Sequence, residues 1–365
     1  MGLSIIFSTK KINEDFIALI KSTCGVHNAE ILPYENPGKY SLNEVYNMGL
    51  EKSTNDIVVF CHDDIKFETK NWGRKILKHF KKNKSFGIVG VAGTRYMSST
   101  GRWWDDFSKM HGAVYHEHEG KKWLTRYSKD TGIKLTEVAL VDGLFFGVSK
   151  SRITNTFDES VTGFHFYDVE FCFSNYLSGV KIGVCTDIRI THLSIGVTND
   201  EWEKNRVLFA EKYKDVLPIK IKRTFSDNEK FDILFVSDTL DDKSMDLLLN
   251  LKGIGHTISV CSQLPPNLIN ILNINGVSNH LLNSPPGYKI GDGKWVVGSN
   301  AGPIPSENGK MYKIKDIKFD LIHTTENRLV EYIKHFYPTT PQFNSDDDEG
   351  LDGDMIKKYK NVLSW

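Results

Sequence analysis

The sequence predicts an α/β protein with a mixed, mostly parallel sheet between helices, followed by a smaller Rossmann-like α/β domain. Three observations predict it. From Leu3 to about Gly196, short apolar runs alternate with amphipathic segments, the pattern of strands joined by crossover helices. The same rhythm restarts at Phe231, after an irregular stretch from Val216 to Glu229 that reads as a domain junction. The length of 365 residues, with 40% hydrophobic content, exceeds what one core usually serves. The expected domains are 1–222 and 223–365.

The elements follow in order. Leu3 to Ser8 is an apolar strand, and Glu14 to Ser22 a helix with Phe16, Ile17, Leu19 and Ile20 on one face. Glu30 to Pro33 is the next strand. Ser41 to Lys52 is a helix, with Ser41 as N-cap and Glu44 three residues on, the spacing of a capping box. Asp56 to Cys61 is a buried strand running directly into His62-Asp63-Asp64. Trp72 to Lys82 is helical and Gly87 to Ala92 a strand; an aromatic and polar loop follows. Val138 to Val141 leads into Asp142-Gly143, and Leu144 to Val148 continues apolar. Phe166 to Leu177 is a helix and Lys181 to Cys185 a strand. In the second domain, Phe231 to Val236, Thr257 to Cys261 and Asp320 to His323 are strands, with helices at Ser244 to Leu251 and Glu326 to His335. That domain has no glycine-rich phosphate loop, and its run from Ser345 to Glu349 is an acidic surface loop.

Composition narrows the function classes. The 46 basic and 46 acidic residues cancel, so the overall charge gives no support to binding of nucleic acid or an anionic membrane. The five cysteines are scattered, with no CxxC pair, which points to neither a disulfide framework nor a zinc site and favours a cytoplasmic setting. No apolar stretch approaches the ~20 residues that span a bilayer. A lipid-linked substrate would be met at the membrane surface.

The chemistry is expected at the strand end Cys61-His62-Asp63-Asp64, because open α/β sheets bind ligands at the carboxyl ends of their strands. By itself an Asp-Asp pair there also suits helix capping or a solvated loop. Tyr46-Asn47-Met48-Gly49-Leu50, the strand Ile57 to Cys61 and His62-Asp63-Asp64-Ile65 resemble the first half of the GT-A fold of family-2-like glycosyltransferases, in which an Asn-x-Gly helix precedes an aspartate-rich DxD motif. The resemblance continues through Gly93, Trp103-Trp104, Val141-Asp142-Gly143, Phe157-Asp158-Glu159, Phe164 to Glu170 and Ile190 to Gly196. It spans roughly the first 210 residues.

The resemblance implies an inverting glycosyltransferase, moving a hexose or pentose from a nucleotide sugar, a UDP-sugar by preference, to a hydroxyl of a glycan, glycolipid or surface polysaccharide. Mn2+ or Mg2+ is the implied cofactor, neutralising the leaving diphosphate through oxygen ligands. Carried onto this chain, Asp64 is the metal ligand, His62 and Asp63 are neighbours of the ribose or diphosphate, and His192 completes the metal or diphosphate site. His62 departs from the pattern, standing where the motif has its first carboxylate. Asp168 matches the base that deprotonates the acceptor, with Glu170 as second choice; the alternative is that Asp168 only favours the helix N-terminus. Tyr167 replaces an expected acidic neighbour. Asp142 and Gly143 are expected in the sugar pocket, where a missing side chain lets the sugar approach the backbone, or else in a plain strand-ending turn. Asn47, Ser8, Thr9 and Glu35 fall where the family holds the donor, the last three around the nucleoside. Trp103 and Trp104 offer aromatic faces to an acceptor pyranose, one of them belonging to the core. Two other readings remain: a phage-type transferase acting on a hydroxymethylated DNA base, and a non-catalytic carbohydrate-binding protein on a decayed transferase fold.

Overall fold

The computed structural model describes residues 2–128, 133–196, 198–222, 225, 229–237, 239–262, 266–281, 289–290, 294–295, 304–305, 311–312, 319–326, 329–330, 333–334, 337, 340–345 and 354–364. The chain divides into two compact units, Met1–Thr224 and Phe225–Trp365.

The first unit is built on β1 (Leu3–Thr9), α1 (Glu14–Cys24), β2 (Glu30–Glu35), α2 (Leu42–Lys52), β3 (Ile57–Cys61), β4 (Ile65–Phe67), α3 (Trp72–Lys82), β5 (Phe86–Gly90), β6 (Ala92–Thr94), β7 (Tyr96–Met97), β8 (Met110–His118), β9 (Lys121–Arg126), β10 (Leu135–Val138), β11 (Leu140–Val141), β12 (Phe145–Ser149), α4 (Tyr167–Leu177), β13 (Lys181–Cys185), β14 (Ile190–His192), α5 (Asp200–Lys212) and β15 (Ile219–Lys220). A seven-stranded sheet runs in the order β10-β13-β5-β12-β3-β1-β2. Strands β1, β2 and β3 are mutually parallel, as are β5 and β13, whereas β12 runs against β3 and β5, and β10 against β13.

The alternation of β3 explains why it reads as a continuous apolar run. Ile57, Val59 and Cys61 join the core beneath α1 and α3, with Ile20, Trp72 and Phe80. Val58 and Phe60 join the core beneath α2 and α4, with Tyr46 and Phe171. Side chains of a strand point alternately to its two faces, so a strand covered on both sides has no polar position. The helices have local reasons to start: Ser41 and Glu44 form the expected capping box, Glu44 Oε2 accepting from the Ser41 N–H at 2.7 Å. Gly49 is glycine because α2 lies hard against the sheet, and a Cβ there would meet Ile6 at 2.6 Å.

A second sheet runs in the order β11-β6-β8-β14-β4, with β9 paired to β8. Two expected strands are split by this arrangement. Phe86–Gly90 stays in the large sheet while Ala92–Thr94 crosses into the small one; Leu135–Val138 and Leu140–Val141 divide in the same way around Ala139. Within the irregular stretch that begins at Val216, Ile219 and Lys220 pair with Met97 and Tyr96 and belong to the first unit.

In the second unit five parallel strands run in the order 278–281, 257–262, 232–236, 321–324 and 342–344. The order reverses at the central strand, the doubly wound pattern. Helices Asp242–Gly253 and Met355–Leu363 contribute Leu248 and Tyr359 to its core. Half of the expected helix at 326–335 and the acidic positions 346–349 lie outside the described residues. No helix among the described residues is long and apolar enough to cross a membrane.

Candidate active site

Strand β3 delivers His62, Asp63 and Asp64 to the end of the large sheet. Two backbone bonds pin the segment: the His62 N–H reaches Leu144 O at 3.1 Å, and Asp64 O accepts the Leu193 N–H at 2.9 Å. Strand β14 lies between β4 and β8, pairing His192 with Ile65 on one side and His116 on the other. This register sets His192 Nε2 3.4 Å from Asp64 Oδ2, while His62 Nδ1 lies 3.7 Å from Oδ1 of the same carboxylate. The donor atoms of His62, Asp64 and His192 all lie within 4.8 Å of one another. Asp63 is exposed and outside this group.

Burial opposes ionisation of Asp64, but the hydrogen bond and charge of His192, with His62 and Ser194, outweigh it and hold the carboxyl at about 2. Burial, then the charge of His192, pushes the His62 imidazole below its ordinary value against the pull of Asp64, Asp142 and Asp63. An ionised carboxylate beside a neutral imidazole is the state in which these side chains bind a divalent cation. The set therefore fits a metal. In a second group, His79, Cys185 and Asp187, the Asp187 carboxylate is already engaged: His79 Nε2 lies 2.7 Å from it and Lys75 Nζ 3.8 Å.

The opposite wall is the start of α4. Phe166 precedes it with φ 67°, a left-handed conformation costing about 1–2 kcal/mol outside glycine. Its ring is buried against Trp202 and Phe209, which offsets that cost and turns Tyr167 and Asp168 toward the strand ends. Asp168 Oδ2 accepts the Gly143 N–H at 2.7 Å. Burial, then the neighbouring charge of Asp142, raises the Asp168 carboxyl to about 7, with the backbone N–H groups of Gly143 and Val169 opposing. Asp142 turns back on its own loop, accepting from the Leu144 N–H at 2.9 Å. Between the walls lies a pocket of about 130 Å³ lined by His62, Asp142, Tyr167, Asp168, Val169, His165, Trp103, Trp104, Phe164, Phe166 and Trp202.

Several expected site residues have other employment. Gly143 leaves no opening for a sugar: the space a Cβ would fill is taken by the Tyr167 hydroxyl, 2.0 Å away. Glu170 is buried on another face of α4, bonded to Lys212 Nζ at 2.7 Å and the Tyr213 hydroxyl at 2.6 Å, so it anchors α5 and does not line the pocket. Asn47 spends its amide on the backbone of Phe157 and on Glu159, clamping the segment that leads toward α4. At the ends of the first two strands, the Thr9 hydroxyl donates to Lys11 O at 2.9 Å and Glu35 accepts from the Ile12 N–H at 3.2 Å. Ser8 is half-buried; a shallow cleft of about 440 Å³ on the following loop is lined by Lys11 to Asp15, not by Ser8, Thr9 or Glu35. Trp103 is buried, whereas Trp104 is 38% exposed and packs on Trp202 at 5.3 Å between ring centroids.

Sequence reasoning missed Trp202, which lines the pocket. The signal for Trp202 was present: a lone aromatic in Asp200-Glu201-Trp202-Glu203 is misplaced on a solvated face. Tyr167 was read only as a missing acid; its role depends on a partner 105 positions away.

The mixed sheet thus presents an acidic segment at the end of strand β3, with the histidine strand β14 beside it. Residues 15–213 match the model of the glycosyltransferase-like family, and the chain belongs to that family. Among solved structures, the A197 protein from STIV is similar at 14% identity, covering 53% of this chain and 87% of its own, with a TM-score of 0.33. GalNAc-T7, solved with UDP, GalNAc and Mn2+, is similar at 11% identity over 59% of this chain, with a TM-score of 0.38; the match spans 50% of the GalNAc-T7 chain. No curated protein matches.

Proposed function

We propose that the protein is an inverting glycosyltransferase that moves a hexose or pentose from a UDP-sugar to a hydroxyl of a glycan or surface polysaccharide. The observation that carries the reading is one pocket lined by both His62 and Asp168, with Asp64 and His192 gathered beside His62. Asp64 and His192 hold Mn2+ or Mg2+, with His62 beside the diphosphate; the cation supplies positive charge to the departing diphosphate. Asp168 is poised near neutrality, the range in which a carboxylate both exists ionised and takes a proton with useful driving force. Held by the Gly143 N–H, it removes the proton of the acceptor hydroxyl as that oxygen attacks the anomeric carbon opposite the leaving group. Trp104 and Trp202 present apolar ring faces to the acceptor sugar.

The test is a panel of UDP-, GDP- and other nucleotide sugars with Mn2+, read by thermal stabilisation and by donor hydrolysis. One nucleotide class is expected to stabilise the wild type and to lose its effect in Asp64→Ala. No response to any donor, or a response untouched by Asp64→Ala, would refute the assignment.

A further inference from the structure

The His62 imidazole is gripped at both ring nitrogens. Its Nε2 lies 2.8 Å from the Tyr167 hydroxyl, and its Nδ1 faces Asp64 Oδ1 at 3.7 Å. In a neutral imidazole one nitrogen carries the proton and the other a lone pair, and whichever nitrogen donates a hydrogen bond leaves the other free to ligate. Metal-bound histidines nearly always donate their second ring N–H to a fixed acceptor, which sets tautomer and ring angle together. Tyr167 is such an acceptor. It is buried, its ring packs edge-on against Tyr46 at 5.5 Å, and the chain lodges its hydroxyl in the space that Gly143 leaves by lacking a Cβ.

We propose that Tyr167 is a positioning residue whose hydroxyl oxygen accepts the His62 Nε2–H. The His62 Nδ1 lone pair then joins Asp64 and His192 in a two-imidazole, one-carboxylate site that selects Co2+ and Mn2+ over Mg2+. This reading rests on the metal site of the proposed function and adds His62 to it as a ligand. The three donor atoms lie within 4.8 Å of one another, a spacing that one ion with bonds of about 2.0–2.2 Å draws together. Replacing the first carboxylate of an acidic motif by imidazole lowers the oxygen content that Mg2+ demands, and it favours metals that accept nitrogen, in the order Mn2+ below Co2+. The same geometry accounts for two departures at once, histidine at 62 and tyrosine at 167, with Gly143 leaving room for the Tyr167 hydroxyl.

The test uses the full-length, metal-free protein titrated with CoCl2, MnCl2 and MgCl2, with the visible spectrum of the Co2+ complex as a second readout. The wild type is expected to bind Co2+ and Mn2+ ahead of Mg2+. Tyr167→Phe should weaken Co2+ about 10–100-fold and alter the Co2+ spectrum. His62→Asp should lower the Co2+ to Mg2+ preference by roughly tenfold or more. On the His62→Asp background Tyr167→Phe should then cost less than about twofold, because the imidazole it orients is gone. A Tyr167→Phe protein with wild-type Co2+ affinity and spectrum overturns the proposal, as does an equal loss in both backgrounds, the mark of a merely structural tyrosine. A wild type that binds none of the three ions refutes the underlying metal site as well, so the two failures are told apart.

Discussion

Asp168 gives the sharpest prediction, because the same physical cause sets both its reactivity and its cost. Its carboxyl is raised from 3.8 to about 7 by burial and by Asp142. A base must be ionised to accept a proton, so kcat/KM should climb with pH and level off above an apparent pKa near 7, falling roughly tenfold per unit below it. Asp168→Asn should lower the plateau by about 10²–10⁴-fold. Removing the like charge in Asp142→Asn should move the acid limb downward. The stability sign follows from linkage. A carboxyl whose folded pKa lies above its unfolded value binds its proton more tightly when folded, so it adds no penalty below about 4 and its full penalty above about 7. The full shift corresponds to about 4 kcal/mol; partial solvent access reduces this to about 2 kcal/mol. Asn retains an acceptor for the Gly143 N–H without the charge. Above pH 7 Asp168→Asn should therefore melt about 4–8 °C higher than the wild type, an advantage that vanishes by pH 4. Kinetics across pH 5–9 and parallel thermal melts check both halves. An acid limb below pH 5, an active Asp168→Asn enzyme, or a variant no more stable at pH 8 than at pH 4 would refute the reasoning.

Trp104→Ala removes an exposed ring face while Trp202 stays in place; the acceptor KM is expected to rise about tenfold, with the donor KM unchanged when both substrates are varied. Glu170→Gln removes the buried charge paired with Lys212 while its amide oxygen still accepts from the Tyr213 hydroxyl, so urea denaturation should register a loss of about 1–3 kcal/mol while the pH profile of activity stays as in the wild type. Ser41→Ala deletes one half of the capping box, and the same denaturation curves should show about 1 kcal/mol of destabilisation.

The elements of the first unit were legible because their burial is written in local patterns. Helix α3 falls at Trp72–Lys82 as its periodicity indicates, and β3 announces itself as an apolar run because both of its faces are covered. The splits at Val91 and Ala139 were not legible: a continuous apolar stretch looks the same whether it stays in one sheet or crosses into another. Among the expected site residues, Asp64, His192 and Asp168 were singled out through a motif order, and the structure sets Asp64 against His192. Asn47, Glu170 and Gly143 were picked by the same route, yet their side chains, or the lack of one, serve Phe157, Tyr213 and Tyr167. A motif records which positions matter and is silent on whether a polar atom faces ligand or backbone.

The sequence by itself determined the α/β architecture, the placement of an acidic strand end at the mouth of the sheet and the membership of a sugar-transferring family, because these depend on periodicity and on residue order along the chain. The tertiary structure decided which residues meet. Only the pairing of β14 between β4 and β8 brings His192 against Asp64, and only the close approach of α4 to the turn after β11 seats the Tyr167 hydroxyl between Gly143 and His62. Those distances are set by register and packing between segments far apart in the chain, and no local pattern encodes them.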